Sequence, residues 1–250
     1  MPLVTTPALV LHGFAYGETS KIVRLLTPEL GVQSAIAKGA LRPKSRFGAT
    51  LQVLSEGTAQ LFVKQGRELQ TLAEFDVTTM RHDLARDVAR FAAAAALCEL
   101  VMRSAPAEAH PEIFQLVVAH LDQFAVVPRE RLAAAALAAL WTTVGALGFA
   151  PVLDRCAKCG AELPDGKIGF SVIDGGFLCR RCVRSLASAR WLTAPHRAVL
   201  HHLTAGRDDQ VDPLPRRHAV AHRRLVSNFV HTHLAEHQTL RALTFWEDLE

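Results

Sequence analysis

No basic n-region precedes an apolar stretch in the opening segment MPLVTTPALVLHGF, so a secretory signal is not expected. The 250 residues contain no GxxxxGK[ST], no GxGxxG behind a strand, no GxSxG and no HExxH. These absences remove the usual signatures of nucleotide hydrolysis, dinucleotide binding, serine hydrolysis and zinc peptidases. Carboxylates are not clustered as a two-metal phosphoryl site requires, and Asp208-Asp209 is a poor substitute. A nuclease or hydrolase built on the histidine-rich tail is therefore disfavoured. There are no internal repeats and no low-complexity linker. The one uncharged run of membrane-spanning length, residues 132–153, is mostly Ala, Gly and Thr with Pro151 near its end. It reads as a buried core helix, and no membrane partner is expected. Net charge is only +4, too small for a histone-like binder, so any anion-binding face must come from local clustering.

What is present is a globular composition, 50% hydrophobic and 21% charged, in a chain long enough for two or three units. Residues 3–77 read as short strands bounded by Gly, Pro and Thr-Ser turns: LVLHGF, KIVRLLT, VQSAIAKG, LQVLSEG, AQLFVKQ and ELQTLAEFDV. Alternation in the last places Leu69, Thr71, Ala73, Phe75 and Val77 on one face, and Gln65-Gly66 predicts a tight hairpin turn. Five or six antiparallel strands in this length predict a small closed barrel of the oligonucleotide-binding (OB-fold) type, with an SH3-like barrel as the rival. Beyond Thr79 the pattern turns helical. One helix is expected over MRHDLARDVARFAAAAALCELVMRSA, one opening at Pro111 and one behind Pro128, the three packed as a bundle. A late helix carries an apolar stripe of Leu225, Val226, Phe229, Val230 and Leu234. The expected class is α+β multidomain: a barrel over 1–79, then a mainly α-helical domain over 80–250 interrupted at 154–186 by a cysteine loop.

Four of the five cysteines form two CxxC pairs, Cys156/Cys159 and Cys179/Cys182. Each pair offers two thiolates on one side of a turn, and two such turns close a tetrahedron around a structural zinc ion with no open position. Gly160 suits the knuckle, and KIGFSVIDGGFLC reads as a hairpin turning at Asp174-Gly175-Gly176 that brings the pairs together. A thioredoxin-like context is missing, which disfavours redox chemistry; iron in a rubredoxin-like site has similar spacing and stays open. Arg155, Lys158, Arg180, Arg181 and Arg184 flank the loop, as phosphate contacts or as solvated charge. The fifth thiol, Cys98, reads as a core residue. His218/His222 and His233/His237 are spaced i, i+4, but neither pair is followed by an evident third ligand.

The densest charge lies in AKGALRPKSRFG, residues 37–48, where Lys38, Arg42, Lys44 and Arg46 fall within nine residues. This basic turn, the stretch ALCELVMRSAPAEAHPEIFQLVVAHL, the four-cysteine loop and the closing RRLVSNFVHTHLAEHQTLRAL together resemble, nearly end to end and in order, the RecO family of bacterial DNA repair proteins. The resemblance implies a non-enzymatic, cytoplasmic, nucleoid-associated recombination mediator. It would bind single- and double-stranded DNA without sequence specificity and anneal complementary strands. With RecR it would load RecA onto strands coated by single-stranded DNA-binding protein. In that frame Lys38, Arg42, Lys44 and Arg46 are the leading DNA contacts. Ser45 would add a neutral phosphate hydrogen bond, and Gly39 would let the backbone approach. Tyr16 and Phe14 are stacking candidates with Lys21 and Arg24 beyond them, although aromatics in so small a barrel are more often core. Arg217, Arg223 and Arg224 would receive the acidic tail of single-stranded DNA-binding protein or a second DNA strand. Leu41 departs from the family pattern, standing where another basic residue is common. The competing reading is a zinc-ribbon interaction scaffold for which the basic turn is incidental.

Overall fold

A computed structural model describes residues 2–184, 190–235 and 239–249. The chain divides into two compact units, Met1–Ala125 and Val126–Glu250. His237 lies outside the described residues.

The first unit opens with five strands: β1 (Leu3–Tyr16), β2 (Ser20–Thr27), β3 (Gly31–Ala37), β4 (Glu56–Phe62) and β5 (Leu69–Thr79). They close into a barrel in the order β1-β2-β3-β5-β4. β1 is long enough to pair with β4 through Leu3–Leu9 and with β2 through Leu9–Tyr16, turning at an irregularity between Val10 and His12. The barrel closes where β3 runs parallel to β5, Ser34 opposite Leu69 and Ile36 opposite Thr71. That parallel closure gives the oligonucleotide-binding arrangement and excludes the SH3-like alternative. Inside lie Ala8, Val10, Val23, Leu25, Ala35, Ala59, Leu61, Leu72 and Phe75.

Two strand expectations are corrected. LQVLSEG is not a strand of its own: residues 51–55 belong to the β3–β4 connection, and β4 begins only at Glu56. Leu54 takes φ +73 there, its N–H donating to the Val10 carbonyl while the Val10 N–H donates to Ser55, so the chain is captured by the irregular stretch of β1. β5 does not keep one face buried along its length. Gln70 and Leu72 point inward at its start, Phe75 points inward after them, and the pairing of Gln60 with Glu74 but Leu61 with Leu72 leaves Ala73 as a bulge. The buried Gln70 amide is satisfied by the Lys64 N–H at 2.9 Å and the Arg67 carbonyl at 2.6 Å. It thereby pins the β4–β5 turn, where Gly66 takes φ +75 as the Gln65-Gly66 signal requires.

The first predicted helix is two: α1 (His82–Arg86) and α2 (Val88–Ser104), interrupted because Asp87 caps α2, its carboxylate accepting from the N–H groups of Ala89 and Arg90. α2 packs on β1 and buries Cys98. Burial pushes that thiol up to about 12. α3 (Pro111–Val126) starts at its proline as expected. Arg81, at the strand-to-helix junction, is buried and donates to Glu56 (2.6 Å), Asp122 (2.8 Å) and the Leu54 carbonyl (3.2 Å). It ties the start of β4, the end of the basic connection and α3 together.

α4 (Leu132–Ala146) is the alanine-rich run, buried on nearly every face. It belongs to the second unit and packs against α6 (Ala194–Thr204) and α7 (Arg216–His233). The bundle expected from α2, α3 and α4 is thus divided between units, because alanine lets other helices approach α4 as closely. The α7 stripe is buried as predicted, with Phe229 edge-on to Trp141 at 5.1 Å. Among the described residues no helix is long and apolar enough to cross a membrane. The rest of the unit comprises β6 (Ile168–Ser171), β7 (Gly176–Leu178), α5 (Arg180–Val183), β8 (Arg190–Leu192) and α8 (Arg241–Asp248), with the strands ordered β7-β6-β8 in one sheet.

Candidate nucleic-acid interface and metal centre

The connection from Lys38 to Ser55 folds as successive turns: Arg42 N–H donates to Gly39, Ser45 to Arg42, Gly48 to Ser45 and Thr50 to Phe47. Gly39 takes φ +74, which a side chain disfavours. Every few residues an apolar side chain drops into the barrel. Ala40, Phe47 and Leu51 are all core members, Phe47 only 1% exposed. Around these anchors Lys38, Arg42, Lys44 and Arg46 are exposed, and among the described residues no carboxylate pairs with any of them. Arg46 lies over the Phe47 ring at 5.2 Å. Ser45 is half-buried, its hydroxyl accepting from the Phe47 N–H at 3.2 Å. Four cations therefore project from a scaffold fixed by burial.

The turn after β1 adjoins this connection. Lys21 stands opposite Ala37, and the Leu41 N–H donates to the Thr19 carbonyl at 2.9 Å. Tyr16 and Phe14 are exposed, at 54% and 46%, so these aromatics are not spent on the core. The acid in this turn, Glu18, is exposed beside them. Lys21 donates to the Leu51 carbonyl, and burial lowers its basicity. Arg24 donates to Ser34 Oγ and, with Phe14, His12 and Ile22, lines a cleft of about 390 Å³. Lys38, Gly39, Arg42, Lys44, Ser45, Arg46, Tyr16 and Lys21 thus share one end of the barrel, while Arg24 sits further along the sheet.

In the second unit, strand pairing brings the two CxxC turns together. Phe170 opposite Phe177 and Ser171 opposite Gly176 make the predicted hairpin. Its turn is closed by Asp174, whose N–H donates to Ser171 Oγ, and by Gly175 at φ +75. Gly176 must lack a side chain: a Cβ there would stand 2.2 Å from the Val152 carbonyl, which accepts from the Phe177 N–H. This close approach delivers residues 152–156 alongside β7. The first knuckle closes by Gly160 N–H to the Cys156 carbonyl and Cys156 N–H to the Ala161 carbonyl, both 2.8 Å, with Gly160 at φ +72. Cys179 begins the turn of α5 that presents Cys182.

The ligand atoms of Cys156, Cys159, Cys179 and Cys182 all lie within 4.8 Å of one another. Cys159 and Cys179 sulfurs are 3.7 Å apart, unbonded thiols rather than a disulfide. Hydrogen bonding from the Ala161 backbone brings Cys159 down to about 6, whereas hydrogen bonding to Cys159 pushes Cys182 up to about 12. Opposite shifts of this kind mark sulfurs close enough that deprotonation of one holds the proton on its neighbour, the spacing a divalent ion also uses. Four soft sulfurs and no oxygen donor fit a closed tetrahedral ion, with Arg181 hydrogen-bonded to Cys159 and Cys182 to offset thiolate charge. Arg155, Lys158, Arg180 and Arg184 are exposed around it.

Of the C-terminal arginines, Arg217 and Arg224 are exposed on α7. Arg223 is half-buried, stacked over the Trp246 ring at 5.1 Å and donating to the Leu249 carbonyl at 2.5 Å, and burial lowers its basicity. Its charge holds α8 to α7 instead of facing solvent.

The sequence of residues 1–81 matches the family model for the N-terminal part of recombination protein O, and residues 85–242 match that for its C-terminal part. The chain belongs to the RecO family. Similar relatives are DNA repair protein RecO of Anaeromyxobacter sp. (strain K), 34% identical over 82% of this chain and 81% of that protein, and of Heliobacterium modesticaldum, 34% identical over 85% and 76%. RecO of Symbiobacterium thermophilum is 35% identical over 73% and 72%. Family membership assigns the chain to DNA repair and recombination, and both the barrel with its basic connection and the four-cysteine loop fall inside the matched residues.

Sequence reasoning found the four cations but not what holds them. Phe47 read as part of the basic turn and Leu51 as the start of a strand, LQVLSEG, and the signal for their anchoring was their apolar character beside an otherwise polar turn. Arg81 carried no signal, since its partners come from distant segments.

Proposed function

We propose that this chain is a non-enzymatic, cytoplasmic, nucleoid-associated recombination mediator that binds single- and double-stranded DNA through the barrel and anneals complementary strands. The observation that carries the reading is the arrangement at residues 38–46, four exposed cations that no carboxylate pairs with among the described residues, set around buried anchors beside an exposed Tyr16. Phosphates pair with the cations while bases stack on Tyr16, Phe14 or an Arg plane, contacts indifferent to sequence. Neutralising two strands on one surface lowers their repulsion, so pairing starts without nucleotide hydrolysis. Lys21 and Arg24, each with an internal acceptor, contribute to the potential more than to direct phosphate contact. Ser45 and Gly39 shape the turn.

The four cysteines hold zinc in a structural role, keeping residues 154–184 folded. Family likeness supports RecR as the partner in loading RecA onto strands coated by single-stranded DNA-binding protein. Arg217 and Arg224 are the accessible pair for the acidic tail of that coating protein or for a second DNA strand, Arg223 supporting them through α8. The barrel is the DNA-binding domain and the remainder of the chain the partner-binding one.

The test is fluorescence anisotropy of a labelled single-stranded oligonucleotide against wild type and a Lys38→Gln, Arg42→Gln, Lys44→Gln, Arg46→Gln variant, titrated with salt. Expected is a folded variant binding roughly 100-fold more weakly, its log–log salt slope shallower by about 3. Equal affinity and slope would remove the barrel from the DNA interface, and no binding by wild type would favour the protein scaffold.

A further inference from the structure

Away from the cysteines, a cleft of about 330 Å³ lies in the second unit, lined by Arg190, Trp191 and Leu192 of β8, His196 of α6, and His218 and His222 of α7. His218 and His222, four residues apart, share one face of α7. The third histidine arrives from another helix. The His196 ring centroid stands 4.4 Å from that of His218 and 5.8 Å from that of His222.

Two imidazoles on one ion, with metal–nitrogen distances near 2.0–2.1 Å and tetrahedral angles, have centroids about 5 Å apart. The observed pair brackets that figure. Hydrogen bonding already sorts the nitrogens. His196 Nδ1 lies 3.0 Å from Thr193 Oγ1, which leaves Nε2 as the second position, and that atom is buried with no hydrogen-bond partner among the described residues. His222 is only 3% exposed, lines the cleft, and its Nδ1 is likewise buried and without a partner among the described residues. A buried unsatisfied imidazole nitrogen costs free energy unless something supplies an electron-pair acceptor. His218 accepts from Arg217 Nε at 3.2 Å.

We infer that His196, His218 and His222 form a second metal site, a three-imidazole centre for a divalent transition ion of the zinc class, separate from the four cysteines. Buried unpaired donors, ring spacing and a hydrogen bond that orients His196 are what such a site needs. Arg190 and Arg217 are donors that an anion would use, but the unpartnered buried nitrogens of the neutral imidazoles offer lone pairs, which call for an electron-pair acceptor. Among the described residues only the four cysteines have converged ligand atoms, so loading requires the His218 ring to leave Arg217 and rotate toward His196. Arg190 and Arg217 put positive charge nearby, which places the affinity below that of the four-cysteine site and makes occupancy responsive to free metal.

The experiment uses the full chain, dialysed against buffered micromolar zinc and then analysed for metal. Wild type is expected to hold two equivalents. His196→Gln and His218→Gln should each hold one, with His231→Gln, on an exposed part of α7, still holding two. Thr193→Val, at the surface start of α6, should weaken the second equivalent by about tenfold or more without unfolding the chain, because only the orientation of His196 is lost. Its binding isotherm keeps the test decisive if His196→Gln fails to fold. A single equivalent in wild type overturns the inference. So does a second equivalent that survives His196→Gln and His218→Gln, or one whose affinity Thr193→Val leaves unchanged.

Discussion

In the barrel, the basic connection is anchored by Ala40, Phe47 and Leu51, which enter a core already built from all five strands. Around the cysteines the comparable cluster is only Leu178 and Val183 with Cys156, Cys179 and Cys182, while the larger buried side chains of the hairpin, Ile168, Phe170 and Phe177, lie apart from it. The first region is held by apolar burial and a closed hydrogen-bonded sheet; the two cysteine knuckles have little apolar area of their own and four sulfurs placed where a metal ion could bind. Two loops with similar amounts of exposed positive charge therefore depend on different chemistry. Knuckles with so small a cluster of their own need a staple.

Removing metal should separate the two regions most sharply. Structural zinc contributes about 10–16 kcal/mol in small metal-folded peptides, more than two apolar side chains supply. Chelation, or Cys179→Ser, is expected to expose 156–182 to protease while the barrel stays resistant, as read by limited proteolysis with mass spectrometry. Equal resistance after verified metal loss would mean that the hairpin and the Phe170–Phe229 contact suffice. Next in size is Phe47→Ala, which removes a fully buried ring from the barrel and should cost about 3–5 kcal/mol in denaturant unfolding of the first unit. It should leave metal content unchanged. DNA affinity at a temperature where the variant is folded should fall too, because the anchor between Lys44, Arg46 and the barrel is gone. Smallest is Leu41→Lys. Leu41 is 47% exposed within the basic connection, and a fifth cation there should steepen the salt dependence of single-strand binding by about 0.7 and tighten it several-fold at low salt. No change would place Leu41 outside the path of the strand.

Alternating polarity and turn chemistry announced the strands of the barrel. The Gln65-Gly66 turn and the hairpin at Asp174-Gly175-Gly176 were legible because positive φ needs glycine, and the CxxC spacing was legible because knuckle geometry is local. The misplaced strand at 51–55 and the slipped face of β5 have a common cause. Both lie at irregularities whose partners, Val10 and Gln60, are remote in sequence, and a bulge of one residue exchanges the two faces of a strand. Tyr16 and Phe14 in solvent and Arg223 half-buried over Trp246 show the same limit: residue type did not say which side of the surface each occupies.

By itself the sequence determined the module order, the four cysteines that cluster and the location of the densest cations, since each rests on residue type at short spacing. Tertiary structure decided how the barrel closes, that Phe47 anchors the cations, that Asp87 divides the first helix, and that His196 meets His218 and His222. These depend on contacts between segments far apart in the chain, where the packing of one side chain against another, and not its own propensity, sets the free energy.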